Sequence, residues 1–219
     1  MNWSQPVDDY CERTSAAFWA EPLDAVSNIA FLLAAAHGLW RWNHGRREDP
    51  ALLWLALLVG VLGIGSFLFH TVATRWASLA DVLPIAVFIY AYFALALSRF
   101  IGLGFAGTLL GTLTFLAASF LAAPPLQRVV GSSAGYVPAL LAMLGIGGLM
   151  SLRSAGSGIT VFAAGLVFAV SLGFRMIDLP LCEAWPDGTH FVWHILNALT
   201  LSLLLHAAAT ERSAALRAA

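Results

Sequence analysis

The chain places GSFLFH at residues 65–70 and HFVWH at residues 190–194. In each stretch two polar side chains lie four residues apart, within sequence that is typical of a lipid-facing helix. Residues at this spacing share one face of an α-helix. An imidazole at membrane depth is costly unless it has a partner. The two stretches therefore predict one metal site between helices, built from His70, His190 and His194.

The composition excludes an ordinary soluble domain. Of the 219 residues, 60% are hydrophobic and 11% are charged, whereas about a quarter are charged in soluble domains. The net charge of −1 gives no basic surface for nucleic acid. All 11 basic residues are Arg, so no Lys could form the Schiff base of a retinal pump. A protein partner is not indicated.

Seven apolar windows approach the roughly 20 residues that cross a bilayer core. We predict an all-α integral membrane protein, a seven-transmembrane helix bundle with an intramembrane zinc site. The windows are 24–42, 51–70, 80–98, 101–122, 135–152, 157–174 and 190–209. Turn-forming residues predict connections at 43–50, 123–125, 154–158 and 180–188.

The predicted organisation is one membrane domain with two short flanking segments. Residues 1–23 form a polar, acidic N-terminal segment, residues 24–210 the seven-helix domain, and residues 211–219 a short C-terminal tail.

The arginines predict the orientation of the bundle. With seven spans, seven arginines fall on the side of the C-terminus and four on the side of the N-terminus. The first group is Arg41, Arg46, Arg47, Arg99, Arg153, Arg212 and Arg217, and the second is Arg13, Arg75, Arg128 and Arg175. Because cytoplasmic loops carry the excess of Lys and Arg, the N-terminus and the histidine site are expected outside and the C-terminus in the cytoplasm.

Three histidine ligands would leave one tetrahedral position open, as in catalytic zinc sites. Zinc lowers the pKa of bound water to about 7 and can polarise a carbonyl. Asp81, eleven residues after His70, is a candidate base, and Ser66 a candidate donor to an oxyanion. Asp178 is a candidate to orient a ligand, unless it forms an ordinary ion pair with Arg175.

The spacing of these residues resembles that of a known family. Gly65-Ser66-x-x-x-His70, Asp81-x-x-Pro84, Asp178-x-x-x-Cys182 and His190-x-x-x-His194 are similar to the motifs of the alkaline ceramidases, which are seven-helix zinc amidases. The wider superfamily includes adiponectin receptors and GPI-anchor remodelling lipases. The likeness extends to residues 9–12, 21 and 27–28.

The resemblance implies roles for individual residues. His70, His190 and His194 would bind zinc, Asp81 would activate water, and Ser66 would stabilise the tetrahedral intermediate of amide cleavage. The chain departs from the family at residues 78–82, SLADV, where members usually carry Gln-x-x-Asp-Glu. The Asp is present and its neighbours differ, which leaves the choice of substrate open.

The resemblance also implies an N-terminal calcium site. Its ligands would be Asp9, Tyr10, Glu12, Thr14 and Glu21, with Thr in place of the family's Asn and a shorter spacer. Carboxylate oxygens suit calcium.

Four further expectations concern single residues. Cys11 and Cys182 would both lie on the outer side, where an oxidising compartment permits a disulfide, and we predict that they pair. His37, His44 and His206 lack acidic company and are expected to be structural. Asp24 is expected to be solvated or to cap a helix. Trp193, between two predicted ligands, could shape the pocket.

The resemblance, together with the predicted metal site, implies a zinc-dependent amidase acting on a ceramide-like membrane lipid, with a fatty acid and a long-chain amine as products. A lipid esterase or phospholipase is an alternative, because zinc and an oxyanion donor serve esters equally well. A metal-containing receptor or sensor without turnover is another. A channel or transporter is disfavoured, since the polar groups gather near one membrane surface.

Overall fold

A computed structural model describes residues 2–45, 48–152 and 155–218 of the chain. Arg46, Arg47 and Arg153, which entered the orientation argument, lie outside the described residues. α-Helices are the dominant structure, and they are α1 (Pro22–Ser27), α2 (Ile29–His44), α3 (Pro50–Val72), α4 (Arg75–Leu95), α5 (Phe105–Val130), α6 (Val137–Ser151), α7 (Ala155–Leu181) and α8 (His190–Ala218). A π-helical turn, Ala96–Ile101, extends α4, and a 3₁₀ turn, Gly131–Tyr136, joins α5 to α6.

The prediction of an all-α chain with helices long enough to span a membrane is confirmed. Within the described residues, six helical stretches are long and apolar enough to cross a bilayer. One of them, Phe105–Ser151, has 47 residues and contains both α5 and α6. The described ranges hold no β-strand, only an isolated bridge between Pro6 and Thr74.

The predicted connection at residues 123–125 is wrong, because Pro124 and Pro125 lie inside α5. A proline removes a backbone hydrogen bond and crowds the preceding helical turn. Helix α5 nevertheless continues to Val130 and breaks only at Gly131, six residues after Pro125. There Gly131 adopts φ 57 and ψ −136, a conformation that side chains with a Cβ rarely reach. The break therefore falls where only glycine fits the backbone.

The start of α3 is fixed by an acidic cap. The Asp49 carboxylate accepts a hydrogen bond from the Leu52 amide, and Pro50 occupies the first helical position, where its missing N–H costs nothing. Two nitrogens of Arg99 donate to the same carboxylate over 2.7 and 2.9 Å. This contact joins the start of α3 to the π-helical turn after α4.

The main core lies between α2, α3 and α8. Large apolar side chains from all three helices are fully buried there, including Phe31, Val59, Leu62 and Leu205. On the other side of the bundle α7 packs against α6 and α8. Helix α5 buries none of its residues, so it lies at the periphery with its apolar surface outward.

The turn between α3 and α4 receives the N-terminal segment. Helix α3 ends at Ala73, which adopts a left-handed conformation with φ 47. The Val7 amide donates to the Ala73 carbonyl over 2.8 Å, and the Arg75 amide donates to the Gln5 carbonyl over 3.1 Å. These bonds hold the N-terminal segment against one end of the bundle. The end of α3, the start of α4 and the start of α8 lie at that end.

Candidate metal centre

Three buried histidines from two helices converge at this end of the bundle. His70, at the end of α3, and His190 and His194, in the first two turns of α8, each offer a nitrogen within 4.8 Å of the others. Each of the three residues is at most 2% exposed. The structure therefore brings together the three histidines that the sequence selected, in a group that could hold a metal ion.

His70 is oriented by a carboxylate. Its Nδ1 contacts a carboxylate oxygen of Glu21, the residue before α1. Because the carboxylate can only accept in this contact, Nδ1 carries the proton and Nε2 keeps its lone pair. His70 Nε2 is buried and has no hydrogen-bond partner among the described residues. It is thus available as a ligand.

His194 is oriented in the same way by a hydroxyl. The Ser27 Oγ donates to the Asp24 carbonyl over 2.8 Å and lies 2.7 Å from His194 Nδ1. Since a hydroxyl has one proton, it must accept from His194 Nδ1–H. The lone pair of His194 is then on Nε2, as for His70.

His190 is positioned through its backbone. The Asp178 Oδ1 accepts from the amides of Thr189 and His190 over 2.6 and 3.0 Å. Asp178 therefore caps the start of α8 and does not contact an imidazole directly. His190 Nδ1 is buried and lacks a hydrogen-bond partner in the described part of the chain. Gly188, with φ +65, is required in this loop, because a Cβ there would lie 2.3 Å from Asp178 Oδ1.

Ser66 and Asp81 lie beside the histidines. Both are buried and line a small pocket together with His190 and His194. The close approach of α3 and α4 depends on Gly65, because a Cβ there would lie 2.1 Å from the Ala80 carbonyl oxygen. Asp81 Oδ1 is buried and has no hydrogen-bond partner within the described ranges, so it can accept a proton from a bound molecule.

The donor set fits a metal ion. His70 Nε2 and His190 Nδ1 are buried ring nitrogens without a hydrogen-bond partner among the described residues. Buried polar groups are normally paired, so such orphaned atoms need an explanation. A bound cation would satisfy them.

Tyr10, in the N-terminal segment, covers the histidines. Its ring stacks on His190 with centroids 3.7 Å apart and lies 5.2 Å from the His70 ring. The next residue, Cys11, forms a disulfide with Cys182, with Cα atoms 5.3 Å apart. The Cys11 amide also donates to Asp178 over 3.1 Å. The N-terminal segment is thereby tied to the loop before α8.

The carboxylates expected to bind calcium, Asp9, Glu12 and Glu21, do not form a group with ligand atoms within 4.8 Å of one another among the described residues. Asp9 and Thr14 are exposed, whereas Glu12 and Glu21 are buried. The two Glu12 oxygens accept from the amides of Leu23 and Asp24 at the start of α1 over 2.7 and 2.9 Å.

Glu21 is also occupied. Its carboxylate contacts the Arg13 guanidinium as well as His70. Burial raises the pKa of Glu21 to about 7, and the Arg13 charge acts against this rise. The oxygens of Glu12 and Glu21 therefore already have partners within the protein.

Asp24 is not solvated, contrary to expectation. It is 1% exposed, and neither carboxylate oxygen has a hydrogen-bond partner among the described residues. Its Oδ2 lies 3.8 Å from His70 Nδ1. Together with Glu21 and His70 it forms a second group whose atoms lie within 4.8 Å of one another.

Arg175 does not form an ion pair with Asp178 in the part of the chain that is described. Its guanidinium donates to the hydroxyls of Ser132 and Ser133 over 2.8 and 2.9 Å. It also lies 5.3 Å from the Tyr136 ring centroid and 5.8 Å from that of Trp193. Arg175 therefore holds the 3₁₀ turn over the pocket.

A large apolar cavity adjoins the site. It is partly open and lies between α3, α4, α5, α6, α7 and α8. It shares its inner wall, Leu62, Ile85, Tyr136 and Asn197, with the small pocket that contains Ser66, Asp81, His190 and His194. The remaining lining is almost entirely aliphatic and aromatic, as hydrocarbon chains require.

The other three histidines lie elsewhere. His37 Nδ1 lies 2.7 Å from the Ser202 hydroxyl, and His206 Nδ1 lies 3.3 Å from Arg41. His44 Nδ1 lies 2.9 Å from the Trp40 carbonyl. Their partners give each of them a structural role.

Several residues of the site carried no clear signal in the sequence. The orienting contacts of Glu21 and Ser27, and the stacking of Tyr10, join positions 49, 167 and 180 residues apart. Ser27 lies within the first apolar window and in the region of family likeness, and neither signal points to a contact with His194. Trp193, buried next to Phe168 and lining the small pocket, shapes the site as expected.

Comparison with known proteins is consistent with this geometry. A search of curated proteins gave no match. The family model described as Ceramidase matches residues 6–216, which is nearly the whole chain and includes all three histidines, Ser66 and Asp81. The chain belongs to the ceramidase family.

Proposed function

We propose that the protein is a zinc-dependent amidase that cleaves the N-acyl bond of ceramide or a ceramide-like membrane lipid. Membership of the ceramidase family supports amide hydrolysis of such a lipid. The observation that carries the finer proposal is the convergence of three buried imidazoles, Asp81 and Ser66 at the inner wall of an apolar cavity. Such a cavity suits an acyl chain whose amide carbon reaches the histidines.

His70, His190 and His194 would hold the zinc ion through neutral nitrogens. When bound, zinc supplies a Lewis acid that polarises the carbonyl and lowers the pKa of water. Imidazole ligands suit this ion, and a set of three leaves a position open. Glu21 and Ser27 keep the imidazoles of His70 and His194 in the tautomer that presents Nε2.

Asp81 would act as the general base. Its unpartnered Oδ1 accepts a proton from the attacking water and later returns a proton to the departing amine nitrogen. Ser66 would donate a hydrogen bond from its hydroxyl to the oxygen that becomes negative as the carbonyl carbon turns tetrahedral. The water oxygen ends in the fatty acid, and the long-chain amine gains the hydrogen.

The seven-span topology and outward orientation form part of this proposal. Helices α5 and α6 are separate, and the turn between them reaches the site end, where Ser132 and Ser133 contact Arg175. This path supports two opposite crossings within Phe105–Ser151. The Arg distribution favours a site on the outer surface, where the linkage of a sphingolipid lies near the headgroups.

The test is a product analysis with the purified protein in ¹⁸O-labelled water. Ceramide, an N-acylethanolamine, a diacylglycerol and phosphatidylcholine are incubated separately, with the Asp81→Asn variant as control. The proposal predicts fatty acid and long-chain amine in equal amounts from ceramide, with ¹⁸O in the acid. Release from the two ester lipids alone would identify an esterase, and no turnover of any amide by zinc-loaded protein would refute the proposal.

A further inference from the structure

We propose that the Arg13 guanidinium takes the place of a calcium ion in docking the N-terminal segment on the metal centre, so that this chain needs no calcium. The resemblance to the alkaline ceramidases implies a calcium site at Asp9, Tyr10, Glu12, Thr14 and Glu21. The structure puts a covalently attached cation against the innermost of these groups.

Arg13 joins three parts of the molecule. It is 8% exposed. Its Nε donates to Glu21, its Nη1 to the Ser15 carbonyl over 3.1 Å, and its Nη2 to the His70 carbonyl over 3.1 Å. The guanidinium thus links the segment, the start of α1 and the last turn of α3. A guanidinium offers five donors in a rigid plane and stays charged at every physiological pH.

The positive charge of Arg13 compensates a buried carboxylate beside the metal centre. Glu12 and Glu21 are both buried, and a buried carboxylate is costly without a cation or several donors. Glu12 is satisfied by two backbone amides. Among the described arginines, Arg13 is the one that lies within ion-pair distance of Glu21 and balances its charge.

Arg13 also acts on the metal centre through Glu21. One carboxylate oxygen of Glu21 contacts Arg13 and the other contacts His70 Nδ1. Arg13 is therefore a positioning residue: it fixes the carboxylate that fixes an imidazole. A calcium ion in this role would dissociate when its concentration falls, whereas an arginine does not. Docking of the segment then becomes independent of calcium.

The first test measures calcium directly and does not depend on activity. Purified wild-type protein in calcium-depleted buffer is titrated with ⁴⁵Ca²⁺ up to about 1 mM, the weak end of known protein sites, and its thermal unfolding is followed with and without the ion. We expect no bound calcium and an unchanged melting temperature. One bound ion per chain together with a higher melting temperature would overturn the proposal, whether it lay at Glu21 or at Asp24.

The second test removes the cation. Arg13→Ala leaves Glu21 buried without its partner, and the melting temperature should fall by about 10 °C. The matched control is Arg75→Ala, which removes an exposed arginine at the same end of the bundle and should leave the melting temperature unchanged. Equal melting temperatures of the two variants would contradict the proposal. If Arg13→Ala does not fold, the calcium titration of the wild type still decides.

Discussion

Individual hydrogen bonds decide which nitrogens of the candidate centre are free. Glu21 and Ser27 each occupy the Nδ1 of a histidine, one as a carboxylate and the other as a hydroxyl whose own proton is used elsewhere. Asp178 reaches the third histidine only through its amide. The site therefore rests on three different outer contacts, each supplied by a different part of the chain.

Asp81 separates metal binding from turnover. The variant Asp81→Asn keeps the size of the side chain and removes its capacity to accept a proton. We expect the zinc content to stay at the wild-type level while ceramide hydrolysis falls by about 10²–10⁴-fold, the usual contribution of a general base. Metal analysis and product release on one preparation check this. Wild-type turnover in the variant would show that another group is the base.

A substitution of Ser27 tests whether the contacts that orient the histidines matter for metal binding. In Ser27→Ala the Nδ1–H of His194 loses its acceptor, and outer contacts of this kind are worth about 10–100-fold in metal affinity. Competition with a zinc chelator of known affinity measures the effect. The control is Ser202→Ala, which removes a hydroxyl at the same 2.7 Å distance from His37 and should leave zinc affinity unchanged. Equal affinities of the two variants would contradict an orienting role for Ser27.

Helices α3 and α4 approach so closely at Gly65 that a side chain does not fit. In Gly65→Ala a Cβ would lie 2.1 Å from the Ala80 carbonyl oxygen, so the helices must move apart next to Ser66 and Asp81. Overpacking costs about 1–3 kcal/mol, which corresponds to a melting temperature roughly 5 °C lower. Displacing catalytic groups by about 1 Å can cost 10²-fold in rate.

The same substitution one and a half turns earlier serves as control for Gly65. In Gly60→Ala the Cβ would lie 3.7 Å from the Ala35 Cβ, an ordinary contact. The higher helix propensity of Ala should leave this variant as stable as the wild type or more so, by up to about 1 kcal/mol. Calorimetry and activity assays compare the two. A stable, active Gly65→Ala protein would show that the close approach is not required.

The cap of α3 predicts a pH effect on stability. Burial alone would raise the pKa of Asp49. The hydrogen bonds and the positive charge of Arg99, together with the hydrogen bond from the Leu52 amide, outweigh burial and hold this pKa below the ordinary value of 3.8. The contribution of this carboxylate is therefore fully present above about pH 3.8 and is lost as the pH falls through the lowered pKa.

Thermal unfolding of the wild type and Asp49→Asn from pH 6 to pH 3 measures the contribution of Asp49. The variant cannot titrate at this position, so it should melt below the wild type at pH 6, and the difference should shrink at the acidic end. A difference that stays constant over the whole range would contradict the assignment.

At the scale of the whole molecule, the sequence predicted what depends on composition and on short spacing. Hydropathy predicted the long helices, and the four-residue spacing predicted that His190 and His194 share a face. The sequence also predicted that His70 joins them. With seven spans, the end of the second span and the start of the seventh lie on the same side of the membrane. The helical path through Pro124 and Pro125 was missed, since local propensity points to a break that the backbone makes at Gly131 instead.

Contacts between distant residues were not predictable in this way. The position of Arg13 against Glu21, the stacking of Tyr10 on His190 and the burial of Asp24 all depend on how the N-terminal segment folds back on the bundle. Nothing in the polar composition of residues 1–23 distinguishes a solvated segment from one that covers a site. The apolar cavity likewise arises from six helices together.

The most direct test of the proposed metal centre is the zinc content of purified protein, measured by elemental mass spectrometry. The wild type and the double variant His37→Ala/His206→Ala, whose histidines lie outside the candidate centre, should each hold about one zinc ion per chain. The double variant His190→Ala/His194→Ala should hold none while remaining helical. Full zinc occupancy in that last variant, or none in wild-type protein prepared with zinc, would contradict the claim that these histidines bind the metal.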